Sequence, residues 1–439
     1  MPSDEKEDRV TDVSLPAEPT GDVTSSDPAA QLRRKMVDDL LAEGAITSPA
    51  VEAAMRRVPR DIFAPGVGLD EAHQLYNGVV TKRDETGGPI SSVSAPQVQA
   101  YMLERAEIAP GMKILEIGSG GYNAALLAEL VGPSGQVTTI DIDKDVTNRA
   151  RDLLEHAGYP QVDVVLADAE FGFPEQAPYD RILVTVGAWD IPPAWVDQLT
   201  EGGLLLVPLQ LRGLSRVITF ERVGASLLSR ASRLFGFVPM QGAGAHRGTL
   251  LVMRGGELTL RFEEEPPADP DQLEGIFNTP RVEVWSGATI GRFEPWACTQ
   301  MWLATALPGF CRIVLDKKLN TGVVSPPGSH SAAVAVVADG SLAYVTTRGA
   351  ADSPDVEFGV HAFGPDAAAL AERVSEQLQV WERAHRHGPG PRFRVDPAGP
   401  ADDPSPAGSV VTKKHSRITV SWPETTSTAT GQDSHHHAD

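Results

Sequence analysis

Cysteine is almost absent from this 439-residue chain: there are two, Cys298 and Cys311. Two distant thiols fit neither a disulfide framework nor a zinc site, and they read as small buried hydrophobes. Positive charge is also scarce. Lys and Arg number 38 against 59 Asp and Glu, leaving a net charge of −21. That balance argues against nucleic acid as the main partner, because phosphate backbones reward basic surfaces. No uninterrupted apolar run approaches the roughly 20 residues of a membrane-spanning helix. The opening MPSDEKEDRV lacks the apolar core of a signal peptide. A soluble cytoplasmic protein is expected, with no membrane partner. No constellation of histidines and acids has metal-ligand spacing, and His435 to His437 stand in a loose tail, so no metal is expected.

What is present is ample apolar content, 41% of residues, over a length that suits two domains. The most informative stretch is Lys113 to Asp141, KILEIGSGGYNAALLAELVGPSGQVTTID. Ile114, Leu115 and Ile117 suit a buried parallel strand. Gly118, Ser119, Gly120 and Gly121 form a turn in which the backbone approaches a ligand closely. Ala124 to Val131 follows as a helix whose first N–H groups face that ligand. Val137 to Ile140 is the next strand. Asp141 sits at its end, about 20 residues past the glycines, placed to accept hydrogen bonds from ribose hydroxyls. The loop is not a full G-x-G-x-x-G, and Glu116 before it suits a cationic ligand better than a pyrophosphate. Acid–x–Gly–x–Gly followed by a strand-end acid is how class I methyltransferases hold S-adenosylmethionine. A third strand, Val162 to Leu166, is again followed by an acid, Asp168. A fourth, Tyr179 to Val184, places Thr185 at its carboxyl end, where open α/β sheets bind ligands. The alternative is an ordinary α/β turn with structural glycines.

Residues 1–28 read as a disordered acidic tail. Two helices follow, one with Leu32, Met36, Leu40 and Leu41 on a face, one capped by Ser48. Residues 75–92 show no period and are expected as a loop closing over the site. Ser94 reads as the N-cap of a helix running from Pro96 to about Glu107. Its hydroxyl could instead meet an anionic carboxylate at that helix N-terminus. Leu204 to Val207, Val217 to Glu221 and Leu234 to Val238 are expected to complete the sheet. Residues 247–271 are expected as a linker, 272–423 as an α+β unit, and 424–439 as a disordered tail. Within the α+β unit, Asp339-Gly340 signals a hairpin, and Leu370, Val374, Leu378 and Trp381 share a helix face. Arg383, Arg386, Arg392, Arg394, Lys413, Lys414 and Arg417 gather late in an acidic chain. If the strands around Arg394 and Val420 pair, these residues are expected to form a basic face that docks an acidic peptide.

From about Leu32 to Met240 the chain resembles the protein-L-isoaspartate O-methyltransferase family. The resemblance is carried by MRRVPRDIFAP, VSAPQVQAYMLE, ILEIGSGGYNAALLAEL, the Tyr179–Val184 strand, IPPAWVDQLTEGGLLLVPL and FGFVPM. It implies an α/β, Rossmann-like class I methyltransferase domain over residues 29–246, with a C-terminal α+β extension domain. It implies S-adenosyl-L-methionine as cofactor and methyl transfer to a side-chain carboxylate. By position, Ser94 matches the family's substrate-side serine and Gly118 to Gly121 its cofactor loop. Asp141 matches the ribose acid, and Asp168 the residue near adenine. Two departures stand out: the loop is one residue shorter than the family's Gly-x-Gly-x-Gly-Tyr, and Gln97 replaces the His that commonly follows Ser-Ala-Pro.

The extension is similar to that of isoaspartyl-methyltransferase-like enzymes acting on ribosomally made peptides, the lanthipeptide and graspetide branch known as FxLD-system methyltransferases. HAFGPDAAALAERVSEQLQVWERAHRHGPGPRFRV and KKHSRITVSWP carry it. This resemblance implies a modified precursor peptide as substrate and an aspartimide or isoaspartate as product. General repair of isoaspartyl damage is the alternative within the family. A catalytically inactive peptide-binding module is the alternative outside it.

Overall fold

The computed structural model of the chain describes residues 27–264, 266–267, 269–327, 332–350, 353–399 and 408–423. The two expected tails, apart from residues 27–28, and His435 to His437 lie outside the described residues. Two sheets organise the rest. The first has ten strands. From one edge these are Ser409–Thr412, Ser416–Ser421, Arg392–Pro397, Ser226–Leu234, Leu214–Val223, Leu199–Leu211, Tyr179–Val184, Lys113–Ile117, Gln136–Asp141 and Asp163–Leu166. The last five of these pair in parallel, and the remainder pair antiparallel. The parallel half is the expected doubly wound unit, with its first strand, Lys113–Ile117, at the centre. Ile114, Leu115 and Ile117 are buried, as strands covered on both faces require.

The first sheet differs from expectation at its antiparallel end. The strand expected at Leu234 to Val238 runs instead over Ser226–Leu234. Gly224, at φ 62°, heads a two-residue hairpin in which Val223 pairs with Ser226. A glycine at the first central position matches the twist of the flanking strands and fixes the register. Residues 75–92 are likewise more ordered than a loop. Val79–Arg83 and Pro89–Val93 form a hairpin, pinned by Lys82, whose ammonium donates to Asp143 at 2.7 Å and Asp145 at 2.8 Å.

The expected linker, 247–271, holds two strands, Thr249–Met253 and Leu258–Phe262. They begin a second, wholly antiparallel sheet of seven strands. The alternation of buried Leu258, Leu260 and Phe262 is the period-2 signal behind the second of them. The Asp339-Gly340 hairpin forms as expected, with Ala338 opposite Ser341. Helix Ala367–Ala384 buries Leu370, Val374, Leu378 and Trp381. The extension is not a separate unit, however. Arg394 and Val395 pair with Leu228 and Leu227, so the final strands return to the first sheet and cover what would otherwise be its open edge. One continuous core joins both sheets, with Trp195, Leu205 and Phe220 beside Val334, Phe358, Trp381, Phe393 and Ile418. Among the described residues no helix is long and apolar enough to cross a membrane.

Candidate functional site

The site lies at the carboxyl ends of the parallel strands. Gly118 stands at φ 100°, a conformation that strains any residue with a Cβ. A Cβ there would also lie 2.5 Å from the Thr185 hydroxyl. That hydroxyl sits 3.0 Å from the Ile117 carbonyl and 2.9 Å from that of Gly118, to which it donates. Thr185 therefore ties the fourth strand to the glycine turn from below. The Ser119 N–H donates to Asp141 at 3.1 Å, locking the turn to the acid on the neighbouring strand.

Glu116 is 1% exposed. It accepts from the Asn123 amide at 2.8 Å and the Thr139 hydroxyl at 2.6 Å. Burial nonetheless dominates and pushes its carboxyl up to about 7. Asp141 is raised as well, again first by burial. Two desolvated acids flanking one glycine turn favour a cationic ligand. The Ser119 hydroxyl is buried and without a hydrogen-bond partner among the described residues. Desolvated acids and an orphaned hydroxyl are together what a polar, cationic nucleoside ligand would satisfy.

Ser94 lines the same cavity as Glu116, Gly118, Gly120 and Thr185. Ser119, Gly121, Asp141 and Asp168 do not line it, though Asp141 is bonded to the turn. The capping role expected for Ser94 does not hold. Ala95 is the N-cap of helix Pro96–Ala106, with no side-chain cap hydrogen bond. Proline occupies the first helical position, so the cap falls to the residue just before it. Asp168 accepts from the N–H of Glu170 at 3.0 Å and from that of Ala243 at 2.9 Å, which fixes its carboxylate.

Three residues of the site were not singled out in the sequence. Asn123 had a signal: it is a polar residue in the first turn of a largely apolar helix. Arg60 and Gln99 had none. Arg60 is fully buried and donates to the Ala72 carbonyl at 2.6 Å, the Gln99 side chain at 2.7 Å and the Ser94 carbonyl at 2.8 Å. It also lies over the Tyr122 ring at 5.0 Å. This guanidinium holds the backbone of Ser94 in place from across the cavity wall.

The expected basic cluster is partly paired with acids and partly exposed. Arg394 does pair across the sheet with Thr419, and some of the charges meet acids or are buried. Arg386 bonds Glu294 at 2.8 Å, Arg394 bonds Asp396 at 2.9 Å, and Lys413 is buried.

Residues 31–244 match the family described as Protein-L-isoaspartate(D-aspartate) O-methyltransferase. Protein-L-isoaspartate O-methyltransferase of Ignicoccus hospitalis is 41% identical over 40% of this chain and 82% of its own length. That of Methanothermobacter thermautotrophicus is 40% identical over 48% of this chain and 95% of its own length. A solved protein-L-isoaspartate O-methyltransferase aligns over 80% of this chain and 92% of its own, at 23% identity and a TM-score of 0.46. By this similarity the chain belongs to the protein-L-isoaspartate O-methyltransferase family, S-adenosyl-L-methionine-dependent enzymes that methylate carboxylates.

Proposed function

We propose that this protein methylates the side-chain carboxylate of isoaspartyl residues in peptides or proteins. The single observation that carries the reading is the cavity shared by Ser94, Glu116 and the glycine turn. Ser94, which carries a hydroxyl donor, and Glu116, a buried acid that favours a cation, both line it, and this supports the reading. S-Adenosyl-L-methionine, when bound, supplies an electrophilic methyl group on a sulfonium. Glu116 and Asp141 would supply the negative charge that favours such a cation, and Asp141 and Asp168 would hold the nucleoside by accepting hydrogen bonds. Ser94 donates one hydrogen bond to the substrate carboxylate and fixes the direction from which its oxygen attacks. That carboxylate is already ionised near neutral pH, so no strong general base is needed. The catalytic task is alignment, and Arg60 contributes by holding Ser94.

The product is a methyl ester. The next backbone nitrogen then attacks the ester carbonyl, methanol leaves, and a succinimide closes. Water opens it to aspartate or isoaspartate. The test is mass spectrometry of an isoaspartyl peptide incubated with the protein and cofactor. The expected result is a methyl ester that decays to the succinimide; an unmodified peptide would refute the reading. A second reading is favoured by Gln97 and by the second sheet: a constrained, ribosomally made precursor peptide carrying an aspartate is the preferred substrate. It predicts turnover of such a precursor and none of a simple isoaspartyl peptide.

A further inference from the structure

Four consecutive residues far from the family-like part grip the cleft from outside. The Lys413 ammonium donates to the carbonyls of Trp189 and Gln210 and lies 4.9 Å from the Trp189 ring centroid. His415 bonds Glu170 through Nε2 at 2.8 Å, with Lys414 at 3.4 Å from the same oxygen. The His415 N–H donates to Asp190 at 2.6 Å, and the Ser416 hydroxyl donates to the other Asp190 oxygen. Glu170 is two residues past Asp168, inside the turn that Asp168 caps. Asp190 is five residues past Thr185, on the loop that leaves the fourth strand. One turn thus bonds both the Asp168-capped turn and the loop that leaves the fourth strand. Glu170 and Asp190 are each at least nine-tenths buried, so their carboxylates depend on these donors. The family match covers residues 31–244, so this turn lies outside it.

We propose that the Lys413–Ser416 turn is a positioning latch for the cofactor site, holding the Asp168–Phe171 turn and the Gly187–Asp190 loop in their binding arrangement. The extension then sets cofactor affinity from outside the cleft, with His415 as the central positioning residue. This rests on the cofactor-site reading above.

The test is calorimetry with S-adenosylmethionine on the full chain. The double variant Lys414→Ala/His415→Ala should weaken affinity about tenfold, equivalent to roughly 1.4 kcal/mol. His415→Gln, whose amide can still donate to Glu170, should recover most of that loss. The dependence of affinity on pH set by Glu116 should keep its midpoint, whereas a general loosening would shift it. Affinity within twofold of the parent, or no recovery with His415→Gln, overturns the latch. If the double variant does not fold, Ser416→Ala is judged by the same twofold criterion. Asp141→Ala is measured alongside. If it leaves affinity unchanged, the cofactor-site reading has failed and the latch falls with it. If it weakens affinity while the latch variants do not, only the latch has failed.

Discussion

Glu116 shows how a single residue reports on the ligand. Its carboxyl titrates near 7 in the folded chain, against 4.5 for an unperturbed glutamate. The folded state therefore holds a proton that the unfolded chain has lost, and the ligand-free protein loses stability as pH rises from 4.5 to 7. A cationic ligand prefers the ionised form. Affinity for S-adenosylmethionine should rise with pH through 7 and then level off, with proton release measurable by calorimetry in two buffers. Glu116→Gln should flatten that profile. Ser94→Ala should slow methyl transfer on the order of 100-fold, the scale of a misdirected reacting group, while leaving cofactor affinity within twofold. Equal losses in both would place Ser94 in the cofactor site instead. Glu116, Gly118 and Asp141 were legible because strand, turn and strand lie within thirty residues and each carries a local pattern. Arg60 was not: nothing near it in sequence announces a guanidinium that reaches Ser94.

At the scale of elements, the glycine turn tolerates little change. Gly118→Ala places a Cβ against the Thr185 hydroxyl in a strained backbone. It should cost about 1–3 kcal/mol of stability, read as a lowered melting temperature, and weaken cofactor binding. Adding Thr185→Ala should relieve the contact but not the backbone strain, giving partial recovery. The hairpin of residues 79–93 escaped a reading based on period because each strand is only five residues long, and at Gly224 the register is set by the turn. The basic cluster was legible as composition but not as geometry. Which acid faces Arg386 or Lys414 is decided by segments up to 244 residues away.

At the scale of the molecule, the two sheets share one core, and the final strands close the edge of the first. That return could not be read from the sequence, because strand patterns in 392–421 do not say which sheet they join. Lys413 sits where the returning chain meets the site loops. Burial pushes its ammonium down to about 8 from 10.5, against the opposing charges of Glu264, Asp190 and Glu263. The unfolded chain keeps that proton to higher pH, so folded stability should rise between 8 and 10.5, by at most about 3 kcal/mol. Lys413→Met should remove that rise, measured as denaturant midpoints across the range.

The central claim is that the cleft methylates an isoaspartyl carboxylate. Initial rates of methyl transfer to two peptides differing only in an isoaspartyl or aspartyl residue at one position test it most directly. The account predicts a kcat/KM for the isoaspartyl peptide at least about 100-fold above that of its aspartyl isomer. Equal rates, or turnover of the aspartyl peptide alone, would contradict it.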